Sequence, residues 1–151
     1  MPPITFAPQI SDVSAVAQII QLAVAPVFLL SGIGAMLGVM TSRLSRVIDR
    51  ARVLEGRLEG ASPVSITALQ AELAVLGRRA RLVGRAITLC TTTALLVCAV
   101  IVVLFLSAFV QFDTSISIAV LFIAAMTTFF LGLLWFLREI FLATASRHIG
   151  R

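Results

Sequence analysis

The sequence predicts an all-α integral membrane protein with three transmembrane helices and a cytoplasmic antiparallel coiled-coil hairpin between the first two. The 151-residue chain is 60% hydrophobic and 13% charged, with a mean hydropathy of +1.09. A soluble domain of this length cannot bury so much apolar surface. The apolar residues form three long uncharged segments, and nine of the twelve basic residues, all arginine, lie between the first two segments.

The three uncharged segments are long enough to cross a bilayer, whose core of about 30 Å requires about 20 apolar residues. We assign the transmembrane helices to residues 13–42, 86–110 and 116–137. The other segments are an outer (periplasmic) tail, an Arg-rich helical hairpin, an outer turn and a cytoplasmic tail, at residues 1–12, 43–85, 111–115 and 138–151.

The arginines predict the orientation of the spans. Basic residues are retained on the cytoplasmic side of a membrane. All twelve fall on one side if the N-terminus is outside and the C-terminus is inside, which leaves Asp12 and Asp113 on the outer face. A net charge of +5, which in a soluble protein would suggest nucleic acid, is explained here by topology. We therefore expect no nucleic-acid partner.

The connection between the first two spans has the pattern of two packed helices. Gly60 follows the first arm and Pro63 begins the second, with Ser62 as the predicted N-cap. Apolar residues on both arms alternate in steps of three and four, which is a heptad pattern. We predict an antiparallel hairpin in which facing residue numbers sum to 127; the alternative is that each arm packs against a neighbouring subunit. The predicted seam is Leu44, Val47, Ala51, Leu54 and Leu58 with Ile66, Leu69, Leu73, Leu76, Ala80, Val83 and Ile87.

This register predicts how the charged residues pair. It places Arg57 beside Glu72, and it brings Arg50 near Arg79 without giving either an acid from the other arm. A guanidinium binds phosphate with a planar fork, so we expect the arginines to bind anionic lipid headgroups or an acidic cytoplasmic protein. The alternative is that they only fix the topology. The predicted anion-binding residues are Arg43, Arg46, Arg50, Arg79, Arg81 and Arg85.

Two sets of residues in or beside the spans indicate assembly or a pore. The first set consists of small residues four apart, which favour close helix packing within or between protomers; a backbone-lined ion site is the alternative. The second set is a polar turn whose hydroxyls either bond to carbonyls of their own helix or line a pore. The sets are Gly34, Gly38 and Ser42, and Thr88, Thr91 and Thr92.

Patterns typical of enzymes and of metal or cofactor sites are missing from the sequence. The chain has no glycine-rich phosphate loop, nucleophile elbow, paired carboxylates or Cys/His cluster. The predicted spans contain no ionisable residue, which disfavours a proton-coupled transporter or an intramembrane enzyme. We expect no catalytic activity and no cofactor.

One block at the end of the first span resembles the signature of a known family. It reads PVFLLSGIGAMLGVMTSRLSRVIDRARVLE, from Pro26 to Glu55, and is similar to small bacterial membrane proteins grouped as domain of unknown function 2721. The resemblance implies a protein of the bacterial inner membrane and transfers no activity. We predict a homo-oligomeric scaffold or interaction protein that presents the basic hairpin; the alternative is a homo-oligomeric ion channel whose pore is lined by one span.

Overall fold

Three long α-helices make up the part of the chain that the computed structural model describes, residues 9–107 and 114–145. Helix α1 is Gln9–Leu58, α2 is Pro63–Ser107 and α3 is Ser115–Ala145. Each is long and apolar enough to cross a membrane, and a helix satisfies its own backbone hydrogen bonds inside lipid. The prediction of an all-α, multi-pass membrane protein is confirmed.

Helices α1 and α2 continue beyond their apolar spans without a break. They contain 50 and 45 residues, which correspond to about 75 and 68 Å of helix. Both lengths are more than twice the hydrocarbon thickness of about 30 Å. Pro26 lies inside α1 without ending it. The Arg-rich extensions, residues 43–58 of α1 and 63–85 of α2, are called the arms below.

A short turn of residues 59–62 joins the two arms. Pro63 is the first residue of α2, where its missing N–H has no helical partner to lose. The Ser62 carbonyl accepts hydrogen bonds from the N–H groups of Ser65 and Ile66, at 2.9 and 3.1 Å. Ser62 therefore occupies the predicted capping position, and its hydroxyl lies 2.9 Å from the hydroxyl of Ser65.

Helices α1 and α2 pack along one apolar face in opposite directions. Within the predicted spans the Cys90 thiol lies 3.9 Å from the Met40 sulfur, and on the arms Arg50 binds Glu72. Higher residue numbers on α1 thus meet lower numbers on α2. A cluster on the arms consists only of residues of the predicted seam: Val47, Ala51, Leu54, Leu69, Leu73, Leu76 and Ala80.

Helix α2 lies between α1 and α3 and packs against both. The main core forms where side chains from all three helices meet: Ile33, Met40, Val83, Ala86, Cys90, Val97, Ala125 and Phe136. Gly132 permits the close approach of α3 to α2. A Cβ atom there would lie 3.3 Å from the Cys90 Sγ and 3.5 Å from the Ala86 carbonyl oxygen, and small residues allow such contacts between helices in lipid.

Candidate functional site

A fully buried carboxylate joins the three helices at the Arg-rich end of the spans. Glu139 of α3 is 0% exposed. Its Oε1 accepts hydrogen bonds from Nε and Nη2 of Arg79, on α2, at 3.2 and 2.9 Å. Its Oε2 lies 3.5 Å from Nη1 of Arg43, on α1. One carboxylate therefore binds a cation from each of the other two helices.

The two arginines contribute unequally to this buried cluster. Arg79 donates both of its hydrogen bonds to Oε1, whereas Oε2 has no hydrogen-bond partner within the described residues. Arg43 contributes charge at 3.5 Å and also lies over the Phe136 ring, 5.5 Å from its centroid. A buried carboxylate costs several kcal/mol unless it is paired. Arg79 is therefore the principal partner, and Arg43 adds a second, weaker attraction.

The cluster lies beyond the apolar part of α3. Glu139 is 24 residues beyond Ser115, the first residue of α3, which is about 36 Å along the axis. A hydrocarbon core of about 30 Å ends before this point. The carboxylate is thus shielded by protein at a distance along α3 that exceeds the hydrocarbon thickness.

Glu139 was not predicted as a site residue, because it follows the predicted third span by two positions. Helix α3 continues past that boundary to Ala145. The burial of Glu139 could have been inferred from a seven-residue repeat along α3. Ala125, Gly132 and Glu139 are seven residues apart and are all buried, so an acid continues a heptad of small inward-facing residues.

The predicted pairing of Glu72 with Arg57 is wrong, and so is the prediction that Arg50 gains no acid from the other arm. Glu72 accepts hydrogen bonds from Nε and Nη2 of Arg50, at 3.2 and 2.6 Å. Arg50 and Arg57 are seven residues apart and share a helix face. The register restricts the partner to that face, but it does not determine which long side chain reaches the acid. Arg79 obtains its acid from α3, which a two-helix register does not contain.

A second feature lies beside the buried cluster, on the exposed side of α2 and α3. We call it the Trp135 groove; its lining residues are Arg78, Arg81, Leu82, Arg85, Trp135 and Arg138. The guanidinium groups of Arg85 and Arg138 both lie over the indole, 5.1 and 5.8 Å from its centre. Within the described residues, none of the four arginines of this groove has a carboxylate within 4.0 Å.

The Trp135 groove continues toward the spans as a more apolar depression of about 510 Å³. We call this part the span-side groove. It shares Arg81, Arg85 and Trp135 with the Trp135 groove and adds Gly84, Thr88 and Leu89. A basic end and an apolar end therefore adjoin on one surface.

The structure separates the six arginines that were predicted to bind anions. Only Arg81 and Arg85 line the Trp135 groove. Arg46 is exposed and donates from Nε to the Ser42 carbonyl at 3.3 Å. The other three are paired with acids as described above. Sequence reasoning missed Arg78, Trp135 and Arg138 as neighbours of Arg81 and Arg85. Trp135 and Arg138 lie on α3 and come together with the α2 arginines only when the two helices pack.

The small residues that were predicted to pack closely lie on the surface of the protomer. Gly34, Gly38 and Ser42 are all exposed. A Cβ atom built on either glycine would meet nothing within 4 Å. They therefore make no close helix contact within the described protomer, and packing between protomers stays a prediction.

The predicted pore residues are also exposed on α2. The hydroxyls of Thr88, Thr91 and Thr92 each donate to the carbonyl four residues earlier, at 3.1, 2.9 and 2.9 Å. The expectation that these hydroxyls bond to their own helix is confirmed. A role in lining a pore stays a prediction.

Comparison with known proteins identifies one family. A family model described as "Protein of unknown function (DUF2721)" matches residues 23–149. No curated protein and no solved structure matches the chain. The family match includes the block from Pro26 to Glu55, the whole of α2 and α3, and both features described above. Because it covers more than half of the sequence, the chain belongs to this family of proteins of unknown function, DUF2721.

Proposed function

We propose that the protein is a homo-oligomeric scaffold of the bacterial inner membrane that holds a basic helical hairpin in a fixed position in the cytoplasm. The observation that carries this proposal is the buried Glu139, which binds arginines of both other helices at the base of the arms. Helices α1 and α2 are also continuous from span to arm. A partner bound to the arms is thereby held at a defined distance from the bilayer.

The distribution of charge supports the cytoplasmic assignment and the type of partner. The segment 43–85 contains nine arginines and four acids, and basic residues are retained on the cytoplasmic side. The excess of positive charge suits an acidic segment of a cytoplasmic protein, which would be attracted over about a Debye length. The heptad pattern of the arms supports a coiled-coil geometry for the pair. The role is binding and presentation, without catalysis.

The exposed small residues of α1 support self-association. Gly34 and Gly38 leave open space on the lipid-facing side of the protomer. Small residues four apart let two helix backbones approach closely, and van der Waals packing then drives association in lipid. The proposed interface is therefore a contact between the α1 helices of neighbouring protomers.

A second candidate function is a homo-oligomeric ion channel. It is favoured by the exposure of Thr88, Thr91 and Thr92 along α2. Their hydroxyl protons are already donated to carbonyls of the same helix, and only the oxygen lone pairs remain to face an ion. Those lone pairs could still coordinate a cation, so exposure is the one observation that favours a pore. The scaffold is the better-supported proposal because the buried Glu139 cluster and the continuous helices both favour it.

Two measurements on the full chain in lipid nanodiscs or proteoliposomes test this proposal. Native mass spectrometry should give a defined oligomer, and Gly34→Leu with Gly38→Leu should reduce it to smaller species without unfolding the protomer. A strictly monomeric wild type would contradict the scaffold proposal as stated. Ion flux through proteoliposomes, above that of empty vesicles, would instead favour the channel.

The orientation is tested separately by cysteine labelling in intact cells. Ser62→Cys, in the turn between the arms, should resist a membrane-impermeant thiol reagent, and Ser115→Cys should react with it, because basic arms remain inside. Wild type, whose Cys90 and Cys98 both lie in the second span, is the control for background labelling. The reverse pattern would place the arms outside and remove the cytoplasmic partner from the proposal.

A further inference from the structure

The Trp135 groove is a cluster of positive charge with no acid among its lining residues. Arg78, Arg81, Arg85 and Arg138 line it together, and within the described residues the three ion pairs of the protein involve none of them. We propose that this groove binds the phosphate group of an anionic membrane lipid, such as phosphatidylglycerol, with an acyl chain on the span-side groove. The inference deepens the proposed function, on which it rests for the membrane placement of the basic surface.

The chemistry of the groove matches a phosphodiester. Like charges so close together repel one another, and the stacking of Arg85 and Arg138 on Trp135 offsets only part of that repulsion. A bound anion removes it. Guanidinium groups bind phosphate oxygens through parallel N–H donors, and the groove offers such groups from two different helices. One phosphate can thus contact α2 and α3 at once.

The depth of the groove matches the position of lipid phosphates. Trp135 is 20 residues beyond Ser115, about 30 Å along α3, which equals the thickness of the hydrocarbon core. Tryptophan is enriched at this boundary, where its ring contacts both lipid tails and headgroups. The arginines that surround the indole therefore lie in the headgroup layer, and a lipid reaches them without leaving the bilayer.

The span-side groove supplies a path for the rest of the lipid. Gly84 has no side chain to fill the span-side groove, and a Cβ atom there would meet nothing within 4 Å. The groove is therefore open at this point. Leu89 adds apolar surface toward the spans, and the Thr88 hydroxyl already donates to the Gly84 carbonyl at 3.1 Å. This end of the surface therefore needs no polar partner. A soluble phosphate compound carries a negative charge like that of the lipid headgroup, but it has no acyl chain to cover the span-side groove.

Trp135 is the single tryptophan of the chain, so its fluorescence reports directly on the groove. The full-length protein is reconstituted in phosphatidylcholine nanodiscs that contain a small fraction of lipid with brominated acyl chains, which quench an indole on contact. Brominated phosphatidylglycerol should quench Trp135 at about a tenfold lower mole fraction than brominated phosphatidylcholine. Equal quenching by the two lipids would overturn the proposal without any variant being needed.

A charge-matched pair of variants tests whether the groove, and not total charge, selects the lipid. Arg81→Gln with Arg138→Gln removes two arginines of the groove. Arg52→Gln with Arg57→Gln removes two exposed arginines of the α1 arm that are neither in the groove nor among the predicted anion-binding residues. The groove variant should lose the preference for phosphatidylglycerol about tenfold, given the attraction of an arginine near an anionic surface, and the control should change less than twofold. If both variants lost the preference for phosphatidylglycerol equally, total charge and not the groove would select the lipid.

Competition with inorganic phosphate distinguishes a lipid headgroup from a soluble phosphate compound as the ligand of the groove. At concentrations of a few millimolar and constant ionic strength it should leave the quenching by brominated phosphatidylglycerol unchanged, because it cannot use the span-side groove. Displacement of the lipid at those concentrations would assign the groove to a soluble phosphate compound and overturn the lipid proposal. The oligomeric state is measured on the same nanodiscs, so loss of the proposed oligomer with retained lipid preference refutes the scaffold alone.

Discussion

In the described part of the chain, arginines and glutamates of different helices form ion pairs at two places that differ in burial. Arg50 and Glu72 meet between the arms, with side chains 66% and 42% exposed. Glu139 is fully buried, and its partners Arg79 and Arg43 are 20% and 29% exposed. The exposed pair has the shorter contact, 2.6 Å against 2.9 Å. Burial, more than distance, determines what each pair contributes.

The difference follows from solvation. Exposed pairs gain about 0–1 kcal/mol because water and salt screen them and because two long side chains must be ordered. A buried carboxylate has lost its water, so removal of its partner leaves an uncompensated charge that costs about 3–5 kcal/mol. The pair on the arms is therefore dispensable for folding. The buried Glu139, in contrast, keeps its partners only while α1, α2 and α3 stay packed together.

The largest effect is expected for Arg79→Gln. It removes both hydrogen bonds to Glu139 and should lower the free energy of unfolding by about 3–5 kcal/mol. The measurement is unfolding in mixed micelles of mild detergent and SDS, where the helices persist and their packing is lost. Arg43→Gln, which removes only a contact at 3.5 Å, should cost less. If Arg43→Gln were less stable than Arg79→Gln, Arg43 and not Arg79 would be the principal partner of Glu139.

A smaller effect is expected where α3 approaches α2. Gly132→Ala places a Cβ atom 3.3 Å from the Cys90 Sγ and from Leu89 Cβ, and 3.5 Å from the Ala86 carbonyl oxygen, and overpacking of this kind costs about 1–3 kcal/mol. Gly32→Ala is the matched control, because nothing lies within 4 Å of its added Cβ and it is outside the proposed contact between protomers. The same SDS titration should separate the two variants. Similar stability of both would mean that Gly132 does not set the distance between the helices.

The smallest effect is expected on the arms. Glu72→Gln removes the exposed pair with Arg50 and should change the free energy of unfolding by less than about 1 kcal/mol. The change should diminish further in high salt, which screens exposed charges. A loss comparable to that of Arg79→Gln would show that exposure does not weaken this pair.

The same contrast explains how much of the molecule was predictable from sequence. The spans and the seam residues were predictable because length, apolar content and heptad spacing are properties of one helix or of one adjacent pair. The turn was predictable from Gly60 and Pro63, whose backbone preferences are local. The partner of Glu72 was not, because Arg50 and Arg57 share a face and only side-chain conformation chooses between them.

The candidate sites were harder to predict because both depend on α3. Glu139 meets Arg79 across 60 positions of sequence, and Trp135 meets Arg85 across the same helix interface. An interpretation that treats α1 and α2 as an isolated pair cannot find either contact. The heptad from Ala125 through Gly132 to Glu139 was the available signal, and it requires that the third helix be extended beyond its apolar part.

We infer that the Glu139 cluster, and not the pair on the arms, holds the helices together. A double-mutant cycle measures this directly, with Arg79→Gln, Glu139→Gln and the double variant compared in the same SDS titration. We expect a coupling energy of at least about 2 kcal/mol for Arg79 and Glu139, and of no more than about 0.5 kcal/mol for the equivalent cycle on Arg50 and Glu72. Equal coupling energies in the two cycles would contradict it.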